Sequence, residues 1–449
     1  MDRLIRQVRM LQGDRWAEND LRISNGCFAE IGLDLASSPG EVEERATGLY
    51  ALPAAVDLHV HFNEPGRTDW EGFATGTQAA AAGGIGYVAD MPLNSIPPTV
   101  NREALRRKAE VVARQSFVDY GFWGGLVPGN EDELPWLIED GVMGIKAFFS
   151  PSGVSEFENA DLPTLRRGME RMVGTGLRLA VHAEDPGVLR QCARCLSGKE
   201  TARDWLRSRP VEAEMAAVRS IGEIAGEVGC PLTIVHVSSP EVVDVVRALA
   251  AAGVDILCET CPHYLLLNAN DASRLGPVAK CAPPLRPPAV MRALWDDLWA
   301  GAIETVGSDH SPSPPEMKAG RSFFEAWGGI AGIQHGNLLL MEQVGLEDAS
   351  KMAMLQAAFA ERPAGRAGLE GKGYLKVGKD ADFMLLEKLP EPVQVTEGDL
   401  LTRHRASPYL GAKLSFAVDS FWLRGNAVLR QGEPFGEPAG RWVKRGGSD

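Results

Sequence analysis

Residues 56–73, "VDLHVHFNEPGRTDWEGF", place His59 and His61 one residue apart at the end of a short apolar run and follow them with a turn rich in Gly, Pro and Asn. Side chains alternate along a strand, so the two imidazoles leave the same side, about 7 Å apart at the backbone and able to grip one ion. The run reads as a strand whose end carries chemistry.

Outward from that strand, residues 52–369 alternate short apolar runs with amphipathic stretches, the pattern of βα units around a parallel sheet. Seven more strand-like runs follow: "IGYVADMP", "VDYGFWGGLV", "VMGIKAFFS", "LRLAVHAE", "PLTIVHVSS", "VDILCET" and "AIETVGSD". Between them lie helix-like segments such as "REALRRKAEVVARQ" and "VEAEMAAVRSIGEIAGEVG", several closed by Gly, where helices commonly stop. The expectation is an α/β fold, a (β/α)8 barrel of TIM type over residues 52–372. An open doubly wound sheet has the same periodicity, and what separates the two is where the polar residues fall. Residues 1–51 and 373–449 are rich in short alternating pieces and turns, so both ends are expected to pair into one small β module.

A chain of 449 residues accommodates a barrel with such a module. With 46 basic against 60 acidic residues and a net charge of −14, it does not offer a surface that collects nucleic acid or anionic lipid. A small neutral or cationic partner fits better. The uncharged stretch Gly72–Ala89 carries five glycines plus Thr75, Thr77 and Gln78, a poor membrane span, and is expected to be a buried helix and strand. The start, "MDRLIRQVRM", lacks an apolar signal core, so the expected address is the cytoplasm. Seven cysteines suit reduced thiols. The pairs Cys192/Cys195 and Cys258/Cys261 have zinc-site spacing, but ordinary packed or surface thiols are the expectation, since one pair is helix-like and the other strand-like.

At the ends of the strand-like runs stand His59 and His61 (first), Lys146 (fourth), His182 (fifth), His236 (sixth) and Asp309 (eighth). In a (β/α)8 barrel those ends open onto one face, where active sites are built. Imidazole and carboxylate ligands suit zinc, and equally cobalt or manganese. Lys146 looks misplaced in such a ring, because an ammonium repels a cation. The chemistry works if the amine has combined with carbon dioxide, giving a carboxylated lysine that bridges two divalent metal ions about 3.5–4 Å apart. Each residue alone has a structural explanation, a hydrogen-bonded histidine or a capping aspartate, but the set of six is hard to dismiss.

With those residues in view the chain resembles the cyclic amidohydrolases of the amidohydrolase superfamily, which include dihydroorotases, hydantoinases and allantoinases. The likeness runs from "LPAAVDLHVHF" through "ETCPHYL" and "KCAPPLR" to "GKGYLKVGKDADFMLLE". It implies a binuclear metal barrel with His59, His61, carboxylated Lys146, His182, His236 and Asp309 as ligands, Asp309 as general acid/base, a β-sandwich from both termini and a homotetramer. Dihydroorotases resemble His-x-His followed one residue later by an Arg that holds a carboxylate. This chain has the neutral Asn63 there, and "MPLN" for their "MPNT". Hydantoinases place a Tyr five residues after the lysine, where this chain has Pro151. The strings "HFNEPGRTDWEGF", "ADMPLNS", "SDHSPSPPEMK" and "FFEAWGGIAGIQ" are instead similar to the allantoinase branch.

That branch implies opening of the hydantoin ring of allantoin, a small neutral substrate, by a bridging hydroxide, with main-chain N–H groups near Ala282 steadying the oxyanion. Asn63 and Asn94 are candidates for reading the amides, with main chain near Gly329 on the far side; a turn or cap role is the alternative for each asparagine. The chain departs from the pattern at Ala54, usually Gly, and Ala282, commonly Ser. Arg67 is expected to pair with Glu64 or Glu71, and His263, His310, His335 and His404 to be hydrogen-bonded structural residues.

Overall fold

The computed structural model describes residues 2–196 and 200–445. All eight strand-like runs are strands: Ala55–Val60, Ile85–Asp90, Asp119–Phe122 with its continuation Gly124–Gly125, Ile145–Phe148, Leu179–His182, Leu232–Ile234, Ile256–Thr260 and Thr305–Val306. Each pairs in parallel with the next in sequence, the Asp119–Phe122 strand handing over to Gly124–Gly125 across Trp123. His310, just beyond the last strand, bridges in parallel to Val60 of the first, and its carbonyl accepts the His61 N–H at 2.8 Å. The pairings therefore return to where they began. Parallel strands covered by crossover helices are apolar on both faces, and "IGYVAD" is buried at every position.

Local chemistry sets the helices between them. Asn101, Asp161 and Asp185 accept main-chain N–H groups at the starts of Arg102–Val112, Leu162–Met172 and Pro186–Arg194, satisfying donors that a helix start leaves orphaned. The uncharged stretch after Gly72 is helix Phe73–Ala82 followed by strand Ile85–Asp90. Its packing depends on Gly76, where an added Cβ would stand 2.5 Å from the fully buried Phe62 ring.

The two ends of the chain join in one nine-stranded sheet. The seam is antiparallel pairing of Tyr50–Pro53 with Phe383–Gln394, with Leu52 opposite Met384. Ile5, Val8, Leu21, Ile23 and Phe28 from one end pack with Phe383, Leu385 and Trp422 from the other. Lys372 pins this sheet to the parallel strands, its ammonium 2.5 to 2.7 Å from Asp119, Asp380 and Asp382. The far C-terminus does not stay with the sheet: Val443 N–H donates to Tyr120 O and Tyr120 N–H to Arg441 O, both at 2.9 Å, so this tail flanks the third parallel strand.

Candidate active site

The strands bring the six residues together: His59, Lys146 and His182 lie within theirs, while His61, His236 and Asp309 stand one, two and three residues past the ends of theirs. His59 Nε2 and His61 Nε2 each lie 3.3 Å from Asp309 Oδ1. His182 Nδ1 lies 3.0 Å from His236 Nε2, and the His59 and His236 rings are 5.6 Å apart. His236 and Asp309 both have φ of +44°. Non-glycine residues held in that region cost about 1–3 kcal/mol each and persist where surrounding structure enforces them, most often at functional sites.

Electrostatics prepares the cluster to accept cations. Burial pushes His59 down to about 3 and lowers His61, His182 and His236 as well. Every imidazole is thus neutral near pH 7 and has a lone pair to offer. Burial alone would raise Asp309, but facing His59 and His61 outweigh it and hold the carboxylate ionised. Burial lowers Lys146 to about 8, toward the neutral amine that can capture carbon dioxide. Its Nζ is fully buried with no hydrogen-bond partner, 5.1 Å from the centre of the Phe148 ring. An unpartnered amine among four neutral imidazoles and a carboxylate fits a site that would hold divalent cations; His59, His61 and Asp309 by themselves already form a ligand group.

Carboxylates the sequence reading did not single out hold this set in place. His59 Nδ1 meets Glu259 Oε1 at 2.7 Å, and His182 Nε2 meets Glu184 Oε2 at 2.7 Å. Such partners fix tautomer and ring orientation. Asp57 accepts the His59 N–H at 3.0 Å and the Ser308 N–H at 3.1 Å, tying the first strand to the eighth. Glu184 also takes Arg209 Nε at 2.9 Å. Its signal was present, two residues after His182, but an acidic residue at a strand end has too many ordinary uses to be picked out.

Above the cluster opens a cavity of about 380 Å³, lined among others by all four histidines, Asp309, Asn94, Ala282 and Gly329. Asn94 is buried with its Oδ1 unpartnered and a φ of +71°. Gly329, at φ +135°, could not be another residue without displacement, since a Cβ would meet Ser311 O at 2.3 Å. Asn63 is buried with both amide atoms unpartnered but does not line the cavity. Trp205, Arg209, Lys280 and Trp327 line it and were not anticipated. Pro151 is on the wall.

Arg67 pairs not with Glu64 or Glu71 but with Glu156 at 3.0 Å, and donates to Asn94 O at 2.8 Å, because the turn after His61 faces the loop beyond the fourth strand. His310 accepts the Gly332 N–H on Nδ1, and His404 Nε2 meets Asp69 O at 2.7 Å. His263 is buried with neither ring nitrogen partnered, which departs from the expectation of a hydrogen-bonded residue. All seven cysteines are free thiols, and among the described residues the two Cys-x-x-Cys pairs do not converge on one cation-binding group. No helix among the described residues is long and apolar enough to cross a membrane.

Residues 50–428 match the model of the Amidohydrolase family. The chain is 43% identical to an allantoinase of Deinococcus radiodurans over 446 residues, covering 99% of each chain. It is 44% identical to an allantoinase of Rubrobacter xylanophilus, covering 95% of this chain and 94% of the other. Among solved structures, the L-hydantoinase (dihydropyrimidinase) from Arthrobacter aurescens superposes with a TM-score of 0.94 at 28% identity, over 99% of this chain and 100% of that one.

Proposed function

The chain belongs to the amidohydrolase family, and from that premise we propose that it is an allantoinase, a hydrolase opening the hydantoin ring amide of allantoin to give allantoate. The observation that carries this is 43% identity to an allantoinase across 99% of both chains, joined to a cavity lined by the four histidines and Asp309. The eight strands are assigned as a closed (β/α)8 barrel over residues 52–372. The termini, 1–51 and 373–449, are assigned as a β-sandwich domain; the shared core of the two ends supports this.

His59, His61, Lys146 as its carbamate, His182, His236 and Asp309 would hold two divalent cations, with zinc favoured over cobalt or manganese. Such ions supply Lewis acidity toward a carbonyl and make a water-derived nucleophile available near neutral pH. Asp309, ionised and pointing into the cavity, takes the proton of the attacking water and returns it to the leaving ring nitrogen, work one carboxylate can do if it reaches both atoms. Asn94 and the main chain at Ala282 and Gly329 bracket the ring, while Asn63, which does not line the cavity, is left out of the contact set. We assign the protein to the cytoplasm, which its free thiols support, and to a homotetramer, which the likeness described above supports.

A second reading, a hydantoinase, has the structural superposition in its favour. Against it stands Pro151, which has no hydroxyl to offer on the wall where that group is expected to carry a Tyr. Steady-state rates on allantoin, hydantoin, dihydrouracil and dihydroorotate, with metal counted per chain, test the assignment. Preference for allantoin with two ions bound supports it, and preference for hydantoin or dihydrouracil overturns it.

A further inference from the structure

Two lysines near the cavity make an arrangement that the ligand cluster does not explain. The Lys318 ammonium donates to three main-chain carbonyls, Pro277 O at 3.2 Å, Trp327 O at 3.0 Å and Gly329 O at 2.6 Å. Lys280 donates to Ala326 O and stands 4.3 Å from the centre of the Trp205 ring, while its own carbonyl accepts the Gly329 N–H at 2.8 Å. Among the described residues no carboxylate lies within ion-pairing distance of either ammonium. A half-buried cation met only by neutral carbonyls is costly to hold, and burial pushes Lys318 down to about 7.

The acceptors fall on two strips of chain, Pro277–Ala282 and Ala326–Gly329. These strips carry the main-chain groups assigned to the two sides of the ring, at Ala282 and at Gly329, and both residues line the cavity. Lys318 does not line it. Neither strip is part of a regular strand; the Gly329 N–H to Lys280 carbonyl bond joins them at one point, and the Lys318 ammonium, bonded to both strips at once, adds the ties at Pro277 and Trp327. Gly329 is closely placed, since at φ of +135° an added Cβ would meet Ser311 O at 2.3 Å.

We propose that Lys318 is a positioning residue for substrate recognition: its ammonium gathers the carbonyls of Pro277, Trp327 and Gly329 and thereby sets the width of a main-chain cradle for a planar, uncharged cyclic amide. The inference rests on the reading of the substrate as a neutral cyclic amide and names the group that shapes its site. A cradle of main-chain amides can satisfy the donors and acceptors of such a ring without a charged side chain, and it discriminates by spacing, because an unmatched amide in a dry pocket is left unpaired.

The test is Lys318→Met in the metal-loaded enzyme, assayed on whichever cyclic amide the wild type turns over fastest. Loss of the ammonium should raise KM tenfold or more, leave kcat within about threefold and leave two ions per chain, because the ligand cluster is untouched. Lys318→Gln, which keeps a donor but no charge, should fall between and serves if the Met variant is insoluble. Alkylating Lys318→Cys with bromoethylamine restores an ammonium at nearly the same reach and should recover most of the KM, with identically treated wild type as control. An unchanged KM, a loss confined to kcat, or no recovery after alkylation overturns the proposal. Wild type that prefers hydantoin to allantoin instead overturns the substrate assignment and leaves the Lys318 result readable on hydantoin.

Discussion

Glu184→Gln separates a residue that orients the cation cluster from one that only fills the fold. The carboxylate is wholly buried, with one oxygen 2.7 Å from His182 Nε2 and Arg209 Nε 2.9 Å away. Both partners are donors. Glutamine has the same shape but a single acceptor oxygen, so one donor must face an NH2 group. A hydrogen bond to a charged group is worth about 1.5–3 kcal/mol. The Arg209 side chain is 15% exposed and can recover some hydration, so the loss should sit near 2 kcal/mol, below the roughly 3–5 kcal/mol of breaking a fully buried pair. Freed to rotate, His182 should lose cation affinity by about 10- to 100-fold, as removal of such supporting partners commonly does. The assay is chelator competition with the bound ions counted, alongside urea unfolding. Glu214→Gln is the control: Glu214 is equally buried and bonds Arg286 and Ser238 rather than a histidine of the cluster, so it should lose stability while keeping cation affinity. If Glu184→Gln loses stability yet holds both ions as tightly as wild type, the orienting role is refuted.

Asp309→Asn should abolish turnover in metal-replete enzyme, and a residual rate above a few per cent in single-turnover assays would remove Asp309 from proton transfer. Lys146→Ala should bind fewer ions per chain, with activity partly restored by millimolar acetate or propionate; full metal content in the variant would argue against a carbamate. Gly329→Ala should raise KM at least tenfold with the ion count unchanged, because the new methyl would stand 2.3 Å from Ser311 O; wild-type KM would show that the strip moves freely. Burial holds His335 down to about 4, so the unfolded chain takes up this proton first as pH falls. This one group should take up to about 3 kcal/mol from wild-type stability between pH 6.5 and about 4, at about 1.4 kcal/mol per pH unit, on top of the loss from the other buried histidines. The His335→Gln variant should lack that part of the slope in urea unfolding, and parallel slopes would refute it.

Type and order were legible along the chain before any fold was known. Hydrophobic runs of strand length, helix-like stretches with capping residues, and polar residues at the run ends are local facts, set by side-chain alternation and by the orphan donors of helix starts. They located all eight parallel strands and put the six polar residues on those strands or just past them, because a run of alternating residues shows its polar positions whichever neighbour the strand acquires. The terminal pieces were legible as strands for the same reason, though not their seam at Leu52 and Met384 or the return of residues 440–443 to the third strand, since local pattern leaves pairing partners open.

Tertiary structure decided what depends on distance across the chain. Arg67 went to Glu156 rather than to either neighbour in sequence, Asn63 stayed out of the cavity lining, and Glu184 and Glu259 became the partners of His182 and His59 over 2 and 200 residues. Lys318 reached three carbonyls on two strips that no periodicity connects. An acidic or basic side chain has an ordinary use at the surface, and only its removal from water, which the packed structure imposes, forces it to find a particular partner.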